Sequence, residues 1–153
     1  MSIMSTLNVS ASGMTAQRTR MDIIAQNIAN VNTTRTDDNT PYRRQTVVFE
    51  ERSGDNTNFE KALSSAKTGV GYKKNTGNGV KITHIVEDHV TPMKKVYDPS
   101  HPDADEDGYV TLPNVDTVTE MTNLIDANRS YEANVTAFNA TKGMLMKALD
   151  LGR

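Results

Sequence analysis

The chain has 153 residues, with 17 Lys and Arg against 19 Asp and Glu, and no cysteine. That length fits one domain, or a small domain with helical arms, and a net charge of −2 provides no general basic field to attract nucleic acid. The missing cysteine excludes disulfide frameworks, thiolate zinc sites, cysteine nucleophiles and Fe–S ligation, and 36% hydrophobic residues without tryptophan are sparse for an enzyme that must wall off a pocket.

The first predicted element runs from Met4 to Asn32. Leu7, Met14, Met21 and Ile28 stand seven apart, flanked by Met4, Ala11 and Ala25 on one side and by Ile24 and Val31 on the other. This spacing predicts an amphipathic helix of about 28 residues, with a seam rich in small residues and methionine. So narrow a stripe needs a partner helix along most of its length. Met1 to Val9 has neither a basic region nor an apolar core, so no secretory signal peptide is expected, and a protein working outside the cytoplasm would leave it by another route. No run approaches the roughly 18–20 consecutive apolar residues of a membrane-spanning helix.

Between Thr33 and Pro113 the pattern is strand and loop. Tyr42 to Glu50 and Val80 to Glu87 are rich in β-branched residues and bounded by turn formers, and Gly77-Asn78-Gly79 is a turn signal before the second run. Met93 to Tyr97 is a weaker third strand. Arg52 to Asn78 is polar and rich in Gly and Asn, which predicts an exposed loop that orders only against a neighbour.

The last element is a second amphipathic helix. Leu124, Tyr131, Phe138 and Leu145 again stand seven apart; Met121, Val135 and Leu149 occupy the adjoining row, and Val118 and Ile125 widen the stripe near its start. Asp116 is the expected N-cap, Glu120 lies near the first turn, and Gly152 is the expected stop. Polar residues interrupt both seams, Ser10 and Gln17 in the first and Asn128 and Lys142 in the second; such breaks weaken a helix pair while fixing its register.

Chemistry-bearing motifs are few. Asp103, Asp105, Asp107 and Gly108 reproduce the first half of an EF-hand loop, but the bidentate twelfth position is Asn114, Pro113 precedes it, and Pro99 and Pro102 exclude an entering helix. An acidic solvated turn is the better reading, and no metal site is expected. His84 and His89 are five apart near a strand and lack a ligand motif, and no nucleophile or phosphate-cradling motif appears. Arg43-Arg44, Lys73-Lys74 and Lys94-Lys95 are isolated basic pairs. From the residues alone, two readings stand: a structural protein that polymerises through its ends, or a monomeric non-enzymatic binding module with an intramolecular helix pair.

Ala16-Gln17-Arg18 followed by Asn27-Ile28-Ala29-Asn30-Val31-Asn32-Thr33 resembles the N-terminal signature of the bacterial flagellar axial proteins of the rod, hook and junction. Arg129-Ser130-Tyr131-Glu132-Ala133-Asn134 and Lys142 to Gly152 resemble their closing helix. Tyr97 to Pro102, Gly108-Tyr109-Val110 and Leu112 to Asp116 are similar to the proximal-rod subunits within that family, as is the way Thr34 to Thr40 intervene before Pro41-Tyr42-Arg43-Arg44. The family-motif residues are Asn27, Ala29, Asn30, Asn32, Thr33, Tyr131, Ala133 and Asn134.

The resemblance implies an α+β fold in which arms 1–32 and 114–153 form a coiled-coil-like domain and 33–113 a small β-rich middle domain. It implies a non-enzymatic subunit of the basal-body proximal rod, polymerising helically into a torque-transmitting shaft with an export channel. Implied partners are other copies of the chain, other rod proteins and the type III export apparatus, with no nucleic acid, no membrane insertion and no cofactor. The implied location is the periplasmic rod, reached without a cleaved signal. Leu7, Met14, Met21, Ile28, Leu124, Tyr131, Phe138 and Leu145 are the expected assembly interface.

Overall fold

A computed structural model describes residues 3–52 and 77–152. The element order is α1 (Ile3–Ala29), β1 (Gln45–Glu51), β2 (Val80–Glu87), β3 (Lys94–Tyr97), β4 (Tyr109–Leu112) and α2 (Thr117–Leu151). This is the expected α+β arrangement of two long terminal helices around short antiparallel strands. The helices pack on each other, and among the described elements α2 touches only α1, whereas α1 also carries the β1–β2 hairpin.

Helix α1 ends three residues before the expected Asn32. The Asn30 side-chain amide donates to the Gln26 carbonyl at 2.9 Å, and the Thr33 hydroxyl and amide donate to Asn30 Oδ1 and the Asn30 carbonyl at 3.1 Å each. These local bonds satisfy helix-end groups and turn the chain before the apolar pattern runs out. Helix α2 starts as expected. Asp116 is extended, and its carboxylate accepts from the Thr119 amide at 3.2 Å and the Thr119 hydroxyl at 2.6 Å. Gly152 caps the other end with φ −89°, so the stop makes no use of glycine's left-handed freedom.

Two separate two-stranded antiparallel sheets form the middle. β1 pairs with β2 from Gln45↔Glu87 to Glu51↔Val80, with an irregularity between Val48 and Phe49 that leaves Thr83 without a facing residue. Val47, Phe49, Val80 and Ile82 are half-buried, while Val48, Ile85 and Val86 are exposed. β3 pairs with β4 across the acidic segment. The sequence reading does not include β4. Its four residues, Tyr-Val-Thr-Leu, are β-formers following a turn, and Gly108 at φ +77° supplies the bend that aligns them with β3. The Asp103 carboxylate accepts from the Thr34 hydroxyl at 2.8 Å, so the acidic segment is hairpin loop and strap in one. Of the polar stretch Arg52 to Asn78, residues 53–76 lie outside the described residues.

Candidate assembly surface and its polar junction

The closest approach of the two helices is small and polar. The buried α2 residues Glu120, Ala127 and Thr141 share one row at seven-residue spacing, with Asn134 at its remaining position. On α1 the buried set is Ser10, Ala16, Ile23, Ile24 and Asn27. Gly13 lies against Asn134 so tightly that an added Cβ would stand 2.9 Å from Asn134 Oδ1. Gln17, read as a break in the seam, is half-buried there, and its Oε1 is enclosed without a hydrogen-bond partner. Small residues let the backbones approach, and polar ones fix the register.

The eight residues expected to form the assembly interface lie on the shoulders of this seam. Leu7, Met14, Met21, Ile28, Leu124, Tyr131, Phe138 and Leu145 are all half-buried in the single chain. Position 124 follows 120 by four residues, as 131 follows 127, 138 follows 134 and 145 follows 141, a displacement of about 40° around a helix. Each apolar row is therefore partly covered and partly open. Beyond it, Val118, Met121 and Ile125 are 70%, 58% and 54% exposed, and Met144, Leu149 and Leu151 are exposed separately near the far end of α2.

The top of the helix pair is built differently. Asn27 is 1% exposed and uses its whole amide. Its Nδ2 donates to the Gln45 carbonyl at 2.9 Å and to Glu120 Oε2 at 3.1 Å. Its Oδ1 accepts from the Tyr42 hydroxyl and the Gln45 amide, both at 2.9 Å. Burial, reinforced by the charges of Glu87 and Glu120, pushes the Tyr42 pKa up, so the phenol keeps the proton it donates. Glu120, also 1% exposed, takes Arg44 Nε and Nη2 on Oε1, each at 2.8 Å. Asn114 Oδ1 accepts from the Arg44 amide at 2.9 Å, and its Nδ2 donates to the carbonyls of Asp88 at 2.9 Å and Thr91 at 3.2 Å. Side chains from α1, α2 and the loops between them thus meet the Gln45 backbone of β1 in one satisfied network. Beside it, Ile23, Ile24, Val47 and Phe49 line a cleft of about 290 Å³ together with Arg20 and Arg44.

Of the motif residues, Asn27 is central to this junction, Asn30 and Thr33 form the turn that ends α1, and Asn134 meets Gly13. Ala29, Asn32 and Ala133 are exposed, and Tyr131 is half-buried. The sequence reading misses Tyr42, Arg44, Asn114 and the junction role of Glu120. Arg44 reads as half of a basic pair and Glu120 as a first-turn acid, because their contact spans 76 residues of chain and leaves no local spacing to find. Its hydrogen bonds and ion pair tie α1, α2 and the loops between them together. No helix among the described residues is long and apolar enough to cross a membrane.

Comparison with known proteins agrees with this anatomy. Residues 7–35 match the family model described as flagella basal body rod protein, and residues 106–151 match that described as flagellar basal body rod FlgEFG protein C-terminal. The first covers most of α1 and its closing turn; the second runs from the acidic loop through α2. The chain is 50% identical over 151 residues to the flagellar basal-body rod protein FlgC of Bacillus subtilis (strain 168), covering 96% of each chain. It is 45% identical over 154 residues to the FlgC of Borreliella burgdorferi, covering 97% of each. To the FlgC of Escherichia coli O6:H1 it is 38% identical over 153 residues, covering all of both chains. The seven-residue rows, the junction around Asn27 and these full-length likenesses converge, and the chain belongs to the family of flagellar basal-body rod proteins FlgC.

Proposed function

We propose that the chain is a structural subunit of the proximal flagellar rod, polymerising helically through its terminal helices into a torque-transmitting shaft with an export channel. The arms 1–32 and 114–153 form the inner tube, and the middle region 33–113 lies outside it. The neighbours are other copies and other rod proteins, the subunit reaches the periplasmic rod through the type III export apparatus, and its work is mechanical rather than catalytic. The observation that carries this reading is the open apolar surface of α2. Val118, Met121 and Ile125 stand at helical spacing and remain more than half exposed after the helices have paired within the chain. Burying such residues against a neighbour contributes about 1.5–3 kcal/mol per large side chain, repeated at every subunit.

The deciding experiment is Met121→Asp with Ile125→Asp. The purified variant is expected to melt close to wild type, because both side chains are more than half exposed in the single chain, while rods and motility are lost. Normal rods from this variant would leave the monomeric binding module as the better reading.

A further inference from the structure

We infer that Asn78 is a site of spontaneous deamidation, and that the modification loosens the seat of the β1–β2 hairpin on α1. Asn78-Gly79 is the only Asn-Gly pair in the sequence. Glycine matters because its lack of a side chain leaves its backbone nitrogen unhindered for attack on the preceding side chain. Two structural facts make this pair reactive in the folded chain. Asn78 is half-exposed just outside β2, and none of the described hydrogen bonds uses the Gly79 N–H, although the Gly79 carbonyl accepts from the Arg52 amide at 2.8 Å.

The step needs only water. The Gly79 nitrogen gives up its proton and attacks Asn78 Cγ, a C–N bond forms, and Nδ2 leaves as ammonia to give a five-membered succinimide. Water then opens the ring at either carbonyl. One product is aspartate; the other is isoaspartate, in which the main chain runs through the former side chain and is longer by one methylene.

A second pair provides an internal control. Asp107-Gly108 is open to the same cyclisation with loss of water, and Gly108 also has positive φ. There, however, the glycine amide is held by the Asp105 carbonyl at 2.8 Å inside the hairpin loop. Asp107 is the more exposed of the two, so the distinction lies in the glycine amide, which is held at Gly108 and used by none of the described hydrogen bonds at Gly79.

The lengthened backbone would sit where there is no slack. Gly79 has φ +95°, and a Cβ there would collide with the Ser12 side chain of α1. The Ser12 hydroxyl accepts from the next amide, Val80, at 3.1 Å, while donating to the Val9 carbonyl at 2.7 Å. Inserting a methylene and a carboxylate immediately before Gly79 displaces this seat.

The test incubates the full chain in mildly alkaline buffer, folded and in urea, followed by mass spectrometry of the tryptic peptide 75–81 and by hydroxylamine cleavage. The expected result is a one-dalton gain at Asn78 in the folded protein at a rate close to that in urea, with hydroxylamine cutting between Asn78 and Gly79. Asn78→Gln should lose both signals. Isoaspartate at Asp107 should arise in urea and be suppressed in the folded chain. The acidic product, separated by ion exchange, should show faster amide exchange at Val80 than unmodified protein. Protection of Asn78 in the folded chain, equal reaction at Asp107, or unchanged exchange at Val80 would each overturn the inference.

Discussion

The two ends of the helix pair are held by different physics. At the upper end, Asn27, Tyr42, Arg44, Asn114 and Glu120 form a network in which buried polar atoms find partners from four parts of the chain. At the lower end, Ser10, Gly13, Gln17, Asn134 and Thr141 set a close approach with little apolar cover, and Gln17 Oε1 is enclosed without a partner. A satisfied buried network specifies one arrangement; a seam of small residues permits proximity and leaves the apolar shoulders only partly covered within the chain. The helix pair is thus a bonded joint at one end and a close, thinly covered seam at the other.

That contrast is best broken at Glu120. Glu120→Ala leaves the Arg44 guanidinium half-enclosed without its carboxylate and frees one Asn27 donor, and the expected loss is about 3 kcal/mol in urea denaturation followed by helical circular dichroism. Glu120→Leu combined with Arg44→Met should recover much of that loss, because removing both charges also removes the desolvation they require. Failure to recover would mean the pair contributes stability beyond its register role.

Asn27→Ala comes next. It strands the Gln45 backbone amide, the Tyr42 hydroxyl and one Glu120 oxygen together, and the expected cost is about 2 kcal/mol, measured the same way. A cost within experimental scatter of wild type would show that water replaces the amide, and the upper end would then resemble the lower.

At the lower end, Phe138→Ala should weaken the single chain by only about 1–2 kcal/mol, because the ring is half-buried, against the 3–5 kcal/mol typical of fully covered aromatics. Its effect on rod formation should be far larger, since the open half of the ring is lost at every contact. Equal damage to monomer melting and to assembly would place Phe138 with the joint instead of the arms.

The reading of the sequence divides along the same line. Helical periodicity is legible because it repeats, so both long helices, the Asp116 cap and three of the four strands follow from local pattern. The expected interface residues Leu7, Met14, Phe138 and Leu145 stand out for their apolarity, and that same criterion draws attention away from Gly13, Ala127 and Thr141 at the centre. Hydrophobicity finds the face of a helix but not the line of closest approach, which small side chains decide. The junction is illegible for another reason: Asn27, Arg44 and Glu120 are polar residues whose meaning lies in contacts across 15 to 93 residues of chain. Of the three, the asparagine alone belongs to the family-motif set; Arg44 stands out only within the Pro41-Tyr42-Arg43-Arg44 segment and Glu120 only as a first-turn acid.

The smallest expected effect concerns acid. Thr119, through its hydroxyl first and its amide second, holds the Asp116 carboxyl below the usual aspartate range. A depressed carboxyl contributes stability that is present above its unfolded value and is lost as pH falls through the folded one. Wild type should therefore show slight fraying at the start of α2 in that window, by circular dichroism or by exchange at Thr119. Asp116→Asn, which still caps, should not.

The bond from Asn27 to Glu120 spans 93 residues. Closing a flexible loop of that length costs about 4 kcal/mol of chain entropy beyond a constant, and contacts of such separation form late. The first helix can meet the β1–β2 hairpin earlier, but it has no partner helix until nearly the whole chain is present, because every residue of α2 lies beyond the strands. A chain still missing its last forty residues cannot close the joint. Pairing of the helices thus reports completeness: the two arms present their open faces together only on a molecule whose middle and end have both arrived.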